Sequence, residues 1–429
     1  MNTNINFSIE YDYLTNLPNR IGLISKLKRI LSKNQDGAVI LLDLDNYKFI
    51  NNTFGHSHGD LILKEIADRI INITDDALTL FRFGGDEFLI LIEYHDLESR
   101  VLCVIDKIYN IFHQPFKVNG IEKQIQFSMG IAAFPHDSID FNQLIIFAET
   151  AMYKVKESGK NNHVFFSQSM HDELNGKLEI EYILKDALKN NGFKLVYQPQ
   201  VDSETGTIVG YEALLRLKNH FMSPIQFIPI AEEFGMIKTI GRWVTKEAIS
   251  QLRLWKNAGL EDRFISINFS SKQICDEGYI DFLNETLHDF DVEPNLLEIE
   301  ITESILIEEK YQSISFINRL KDSGVCIALD DFGTGYSSIN YLTYLPLTKI
   351  KLDKSLIDKS FLNPESKLLE NIITLIKNLN LKITAEGIEN RLQLDYLKTC
   401  KCDLVQGYFF SRPKEVLEIT ENWNLTYLI

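Results

Sequence analysis

Glu212, Asn268, Glu300, Glu303, Asp330, Asp331, Lys351, Glu386, Glu389 and Gln406 lie at the ends of apolar, strand-like runs in the second half of the chain. The runs are IVGYEALLR, FISINFS, LLEIEITE, VCIALDDF, TKIKLD, KITAEGIE and LVQGYFF. Acids at strand ends rarely serve packing, because an unpaired carboxylate is costly to bury. Two divalent cations a few ångströms apart need several carboxylates, at least one of them bridging, with an amide or water completing each shell. Glu212, Asn268, Glu300, Asp330, Asp331 and Glu386 supply that inventory. Hard oxygen ligands without Cys or His favour Mg²⁺ or Mn²⁺ over Zn²⁺. Lys351 could orient or deprotonate a water and steady charge on an attacked phosphorus. Such a site suits phosphodiester hydrolysis. Any one of these acids alone is better explained as a surface charge beyond a strand end; jointly they are not.

The elements that must position them recur as strand, helix, strand, helix from about Phe193 onward. One helical stretch is FIPIAEEFGMIKTIGRWVTKEAISQLRLWKNAG. Over about 250 residues this is the pattern of a TIM-type (β/α)₈ barrel of the α/β class. An open doubly wound sheet shares the pattern, but it offers a site only at its switch point. A barrel brings its strand C-termini to one mouth, which suits polar residues following so many different strands.

The first half carries a second cluster. FRFGGDEFLILIE predicts two strands joined by a tight turn, where Gly84 and Gly85 permit unusual dihedrals and close backbone approach to a ligand. Asp86 and Glu87 sit at its tip, and Asp43 ends the strand AVILLD. Strand pairing would gather these carboxylates for Mg²⁺ carrying a nucleotide triphosphate. Apolar runs such as IQFSMGIAAF alternate with helical stretches such as GDLILKEIADRIINI, which predicts an α+β domain with an antiparallel sheet. The polar stretch SQSMHDELNG marks the expected boundary, giving domains over 1–170 and 171–429, with a helix over Leu178 to Lys189 leading into the second.

Composition narrows the partners. A formal net charge of −16 argues against a nucleic-acid coat or an anionic-membrane binder. Five scattered cysteines give no disulfide framework, and Cys400 with Cys402 lacks a second ligand pair, so both are expected to be structural thiols in a reducing compartment. No run of eighteen apolar residues and no leader pattern occurs, which predicts a soluble, cytoplasmic protein. Only about ten residues precede the first patterned segment, so an input signal is expected through a partner, a ligand or expression level.

The motifs YQPQVDSETGTIVGYEALLR, SINFS, EIEITES, ALDDFGTGYSS, KIKLDKS, AEGIE and QGYFFSRP resemble, in order and spacing, the EAL-domain phosphodiesterases of cyclic di-GMP over nearly all of residues 178–429. The resemblance implies hydrolysis of cyclic di-GMP to linear pGpG. It implies one metal on Glu212, Asn268, Glu300 and Asp330, and a second on Asp330, Asp331 and Glu386. Lys351 would contact the nucleophilic water, Glu303 would anchor the DDFGTGYSS loop, and Gln406 and Arg216 would contact substrate. Glu389 would support the site from behind. The sequence departs from the family after Glu212: RLKNHFMSP has Leu217 where a Trp is usual and is about three residues short. That loop belongs to the barrel mouth, so affinity or dimer contacts would change and the metal ligands would not.

LTNLPNR, LDLDNYKFINNTFGHSHGD, RFGGDEF and AMYKVKESGKN resemble the motifs of GGDEF diguanylate cyclases, whose fold is similar to the palm of nucleotidyl cyclases, over about Tyr11 to Phe166. By that resemblance Asp43 and Glu87 would hold Mg²⁺ with GTP, and Asp86 would assist the 3′-hydroxyl or bind metal. Asn51 and Asp60 would read the guanine edge, and Lys48, Lys156 and Lys160 would meet phosphates. Lys160 replaces the usual Arg and loses a bidentate fork; Asn16, Asn52, Glu149 and Val155 are milder departures. The RxxD product-inhibition site is replaced by Asp75, Asp76, Ala77 and Leu78, so feedback through it is expected to be absent. The expectation is a cyclic di-GMP phosphodiesterase whose first domain binds GTP and synthesises cyclic di-GMP only in a homodimer of suitable geometry. A non-catalytic receptor of cyclic di-GMP and GTP is the alternative, and retention of every ligand argues against it.

Overall fold

The computed structural model describes residues 9–429 except 34, 76, 94–96, 119, 261, 304, 306–309, 334–341 and 363–366. The chain forms two compact units, Met1–Leu178 and Glu179–Ile429.

The first unit is built on β1 (Gly37–Leu44), buried along its whole length. Its alternate residues serve two cores: Ala38, Ile40 and Leu42 face one and Val39 and Leu41 the other. Covering both faces of a strand requires a continuous apolar run, which is what AVILL supplies. The remaining strands are β2 (Leu78–Gly84), β3 (Glu87–Glu93), the small hairpin β4 (Phe116–Val118) and β5 (Ile121–Lys123), β6 (Phe127–Phe134) and β7 (His163–Phe165). The main sheet has the order β2-β3-β1-β6-β7. It is antiparallel as expected except at its edge, where β7 runs parallel to β6. The helices are α1 (Arg20–Leu31), α2 (Tyr47–Phe54), α3 (His56–Ile71), α4 (Leu97–His113) and α5 (Phe141–Glu157). Asn19 caps α1, accepting from the Ile21 and Gly22 amides, and Asp140 caps α5 through the Gln143 amide. The polar stretch expected as a boundary loop is instead the start of a helix, α6 (Gln168–Lys189). Its Leu184 and Ala187 are buried in the second unit's core.

The second unit is a closed eight-stranded barrel. Its strands are β8 (Phe193–Asp202), β9 (Ile208–Leu217), β10 (Phe264–Phe269), β11 (Leu297–Thr302), β12 (Cys326–Phe332), β13 (Lys349–Leu352), β14 (Lys382–Ala385) and β15 (Leu404–Val405). One strand departs from the expected pattern: β8 is antiparallel to both neighbours, β9 and β15. Seven strand C-termini therefore meet at the mouth, together with the N-terminal half of β8. The long helical stretch expected after the shortened loop is two helices, α7 (Pro224–Glu233) and α8 (Ile237–Asn257). Gly235 separates them with φ of 71°, a conformation that favours glycine. The outer layer continues with α9 (Tyr279–Asp289), α10 (Lys310–Asp322), α11 (Lys354–Leu362), α12 (Leu368–Asn378), α13 (Arg391–Thr399) and α14 (Val416–Glu421). Strand alternation sorts the barrel: Ile299, Ile301, Ile327, Leu329, Ile350 and Leu352 belong to the apolar core, and the polar residues between them occupy the other face. Leu217, in the usual place of a Trp, is part of that core. Among the described residues no helix is long and apolar enough to cross a membrane.

Candidate functional site

At the barrel mouth the expected residues converge on Lys351, whose side chain is about 1% exposed. Its Nζ lies 2.6 Å from Glu386 Oε1, 2.7 Å from Glu300 Oε2, 3.2 Å from Asp330 Oδ1 and 3.8 Å from Glu212 Oε2. Burial works against this ammonium, but Asp330, Glu212, Glu300 and Glu386 more than offset it and hold its pKa well above the ordinary lysine value. The acids carry the opposite strain. Burial pushes Glu300 well above the usual carboxylate range, with Lys351 opposing the shift and Glu212 and Asp330 adding to it. Glu386 is pushed up to about 8, again by burial first.

The amides join the acids. Asn268 Nδ2 donates to Glu212 Oε1 at 2.7 Å, and Gln406 Nε2 donates to Glu212 Oε2 at 2.5 Å. The Asp331 backbone amide donates to Asp330 Oδ1, and Asp331 itself adopts φ of 56°. Gln198 is a participant that sequence reasoning missed, because it sits mid-strand on the reversed β8. Its Oε1 accepts from Gln406 Nε2 at 3.2 Å, and it stands opposite Glu212 in the strand register. Arg216 is half-buried beside them; its Nη1 donates to the Leu215 carbonyl. A cavity of about 720 Å³ adjoins the cluster, lined by Glu212, Arg216, Asn268, Asp330, Asp331 and the inner faces of α7 and α8. Glu389 stands apart from this cluster, exposed and paired with Lys354 at 2.7 Å. Glu303 is buried, and the loop it was expected to anchor has Thr334 to Ser338 outside the described residues.

The donor set suits divalent cations. Four carboxylates, Glu212, Glu300, Asp330 and Glu386, share one ammonium, with the exposed Asp331 next along the strand, and such an excess of acidic groups calls for further cations. Among the described residues Glu300 Oε1 and Gln406 Oε1 are buried without a hydrogen-bond partner, so each can accept a further donor or cation. In the present arrangement Lys351 occupies the middle, and among the described residues no three Asp, Glu, His or Cys groups form a metal-ready cluster.

In the first unit the β2–β3 hairpin is formed as expected, with Gly84 paired to Glu87 and Gly85 at φ of 42°. Asp43 and Glu87 are direct partners in the β1–β3 register. Lys156 Nζ meets Asp43 Oδ1 at 2.7 Å. Burial raises the pKa of Asp43 and of Glu87, and in Glu87 the charges of Asp43 and Asp86 add to it. A cavity of about 890 Å³ is lined by Gly84, Gly85, Asp86, Lys48, Asn51 and Asp60. Buried Asn51 Oδ1 has no partner among the described residues. Lys160 lies instead on Asn46, 2.9 Å from its Oδ1. Asp45, just beyond the end of β1, is a structural group: it accepts from Ser128 Oγ and from the Asn161 amide. In place of the product-inhibition motif, Asp75 is paired with Arg100, and Asp76 lies outside the described residues.

Comparison with known proteins places both units. Residues 182–413 match the EAL domain family and residues 9–162 match the "Diguanylate cyclase, GGDEF domain" family. The chain is 36% identical over 411 residues to the "Bifunctional diguanylate cyclase/cyclic di-GMP phosphodiesterase MucR" of Pseudomonas aeruginosa, covering 94% of this chain and 60% of that protein. It is 37% identical over 412 residues to the "Signaling protein YkoW" of Bacillus subtilis, covering 94% and 51%. The chain thus spans about half to three fifths of the length of these relatives. The solved "PaMucR Phosphodiesterase, c-di-GMP complex" is similar with a TM-score of 0.54 and 36% identity, covering 56% of this chain and 99% of that one.

Proposed function

Because the chain belongs to the family of tandem GGDEF–EAL proteins, we propose that its second unit hydrolyses cyclic di-GMP to linear pGpG. The observation that carries this reading is the cluster of four carboxylates around Lys351 beside an open cavity of about 720 Å³ that Asp331 also lines. That volume falls within the range of small-molecule sites. Glu212, Asn268, Glu300 and Asp330 would hold one Mg²⁺ or Mn²⁺, and Asp330, Asp331 and Glu386 the second. The pair would polarise the phosphodiester and lower the pKa of water at the site. Gln406 and Arg216 bind and orient the substrate, the guanidinium by charge-assisted hydrogen bonds to phosphate. Lys351, held as an ammonium, orients the attacking water and stabilises negative charge gathering on the phosphoryl oxygens.

The first unit binds GTP with Mg²⁺ through Asp43 and Glu87, with guanine at Asn51 and Asp60 and phosphates near Lys48, Lys156 and the Gly84–Gly85 turn. Synthesis of cyclic di-GMP joins two GTP molecules held on two such units, so it requires a homodimer that presents them face to face. The test is a chromatographic time course with Mg²⁺ or Mn²⁺ and cyclic di-GMP alone, GTP alone, or both. Conversion of cyclic di-GMP to pGpG is expected, faster with GTP present. No turnover of cyclic di-GMP with either metal would overturn the hydrolytic reading.

A further inference from the structure

Beneath the mouth cluster the barrel holds a second buried ion pair. Lys349 Nζ lies 2.8 Å from Glu298 Oε1 and donates to Gln200 Oε1 at 3.2 Å. Gln200 Nε2 donates in turn to Ser266 Oγ at 3.1 Å. Lys349 and Glu298 are each about 3% exposed, and Gln200 and Ser266 are fully buried. A buried pair of this kind is weak evidence for stability, since apolar replacements of similar volume are often neutral or stabilising. Its place in the register suggests another use.

Lys349 and Lys351 are two residues apart on β13, and Glu298 and Glu300 are two apart on β11, so all four share one face of the wall. The strand between them, β12, sets the rows: Ala328 is the register partner of both Lys349 and Glu300. Only the small Ala328 side chain stands between Lys349 and Glu300 in that row. Glu300 is thus the carboxylate in Lys349's own row. Yet Lys349 pairs one step lower with Glu298, and Glu300 Oε2 is left to Lys351 at 2.7 Å. Meanwhile Glu300 Oε1 is buried without a hydrogen-bond partner among the described residues.

We propose that Glu298 is a positioning residue that holds Lys349 off Glu300, so that Glu300 keeps Lys351 on one oxygen and an open ligand position on the other. The inference rests on the hydrolytic reading for its consequence in turnover, but its structural content stands apart from it. Removing Glu298 alone leaves Lys349 buried with Glu300 as the carboxylate in its own row. Lys349 then closes the open oxygen and displaces Lys351. Removing Lys349 as well takes away the competitor.

The test compares Glu298→Leu with Glu298→Leu/Lys349→Met. The single variant is expected to lose roughly 100-fold in kcat, the scale of an ångström-sized displacement of reacting groups. The double variant is expected to recover to within about threefold of the parent, with KM little changed throughout. A merely structural role would not make the second substitution restore turnover at temperatures well below both melting points. Should Glu298→Leu fail to fold, Glu298→Gln keeps the shape and weakens the hold, and about tenfold is expected, the difference between a charged and a neutral hydrogen bond. A single variant within twofold of the parent, or a double variant no better than the single, overturns the inference. Turnover by the parent decides the hydrolytic reading separately. If the parent proves inert, the crystal structure of Glu298→Leu decides the inference alone: Lys349 Nζ on Glu300 supports it, and Lys349 elsewhere overturns it.

Discussion

Glu212→Gln separates the fold of the barrel from its chemistry. Glu212 accepts from Asn268 at 2.7 Å and from Gln406 at 2.5 Å, and lies 3.8 Å from Lys351. The amide is isosteric and keeps one oxygen, which can continue to accept from Asn268. Its new NH₂ would face the Gln406 NH₂, but Gln406 Oε1 is buried without a partner among the described residues, so rotating that amide restores a hydrogen bond. The fold therefore loses about one net hydrogen bond, ~1 kcal/mol, partly offset by removing a charge crowded against Glu300 and Asp330. For a unit of this size that is a shift of about 2–4 °C or less in Tm. Function should respond differently, because the substitution takes one carboxylate from the proposed ligand set, which has few to spare. Loss of an outer-shell partner of a metal typically costs 10–100-fold, so losing a ligand should cost at least about 100-fold in kcat. Calorimetry and a cyclic di-GMP time course on the same preparation measure both. A folded Glu212→Gln protein hydrolysing within tenfold of the parent would refute the assignment of Glu212 as a ligand.

In the first unit, Glu87→Ala should eliminate synthesis from GTP while hydrolysis continues, and cyclic di-GMP accumulating from GTP in that variant would sink the proposed cyclase site. Asp45→Ala should act through stability, since it strips the buried Ser128 hydroxyl and the Asn161 amide of their acceptor; a loss of about 2 kcal/mol is expected from chemical denaturation of that unit, and an unchanged midpoint would contradict the structural role. Glu386 has its pKa raised from 4.5 to about 8 by burial, so the metal-free fold binds a proton more tightly than the unfolded chain. Its stability is then fully present below the unfolded pKa and falls as pH rises toward about 8. Melting of metal-stripped protein should decline over that window and recover on adding Mn²⁺, and a flat profile would show that Glu386 is not the group responsible.

Much of this was written in the strands. Glu212, Glu300, Asp330, Lys351 and Gln406 could be picked out because each is a polar residue in an otherwise apolar run, and strand alternation sends it to the face opposite the helices. Asp43 and Glu87 were legible for a related reason: a two-residue turn at Gly85 and Asp86 fixes the β2–β3 register, and β1 then aligns with it. The second ion pair carried the same signal in LEIEIT and KIKL, where charged residues alternate with apolar ones, but sequence alone does not say which lysine meets which glutamate. That pairing depends on the stagger across β12, a property of the closed barrel. Asp45 looked like its neighbour Asp43 in LDLD and differs only in its partners, which come from β6 and the segment after α5.

The reversed β8 is the largest departure from expectation, and it bears on how the site forms. A barrel closes where its last strand meets its first, here at β15, β8 and β9. Gln406 Nε2 bridges this seam, donating to Gln198 on β8 and to Glu212 on β9 across separations of 208 and 194 residues. The segment beyond β15 returns to the same hairpin, with Lys414 bridged to Tyr197 and the Tyr427 amide donating to the Gly206 carbonyl. Non-local contacts of this kind are satisfied only after loop closure has been completed. A partly closed barrel holds Glu212 by one amide only: Asn268 reaches it from the adjacent β10, whereas Gln406 arrives across the seam. Glu300, Asp330 and Lys351 meet on the neighbouring strands β11, β12 and β13, so closure of the barrel is the step that completes the cluster, by bringing Gln406 onto Glu212.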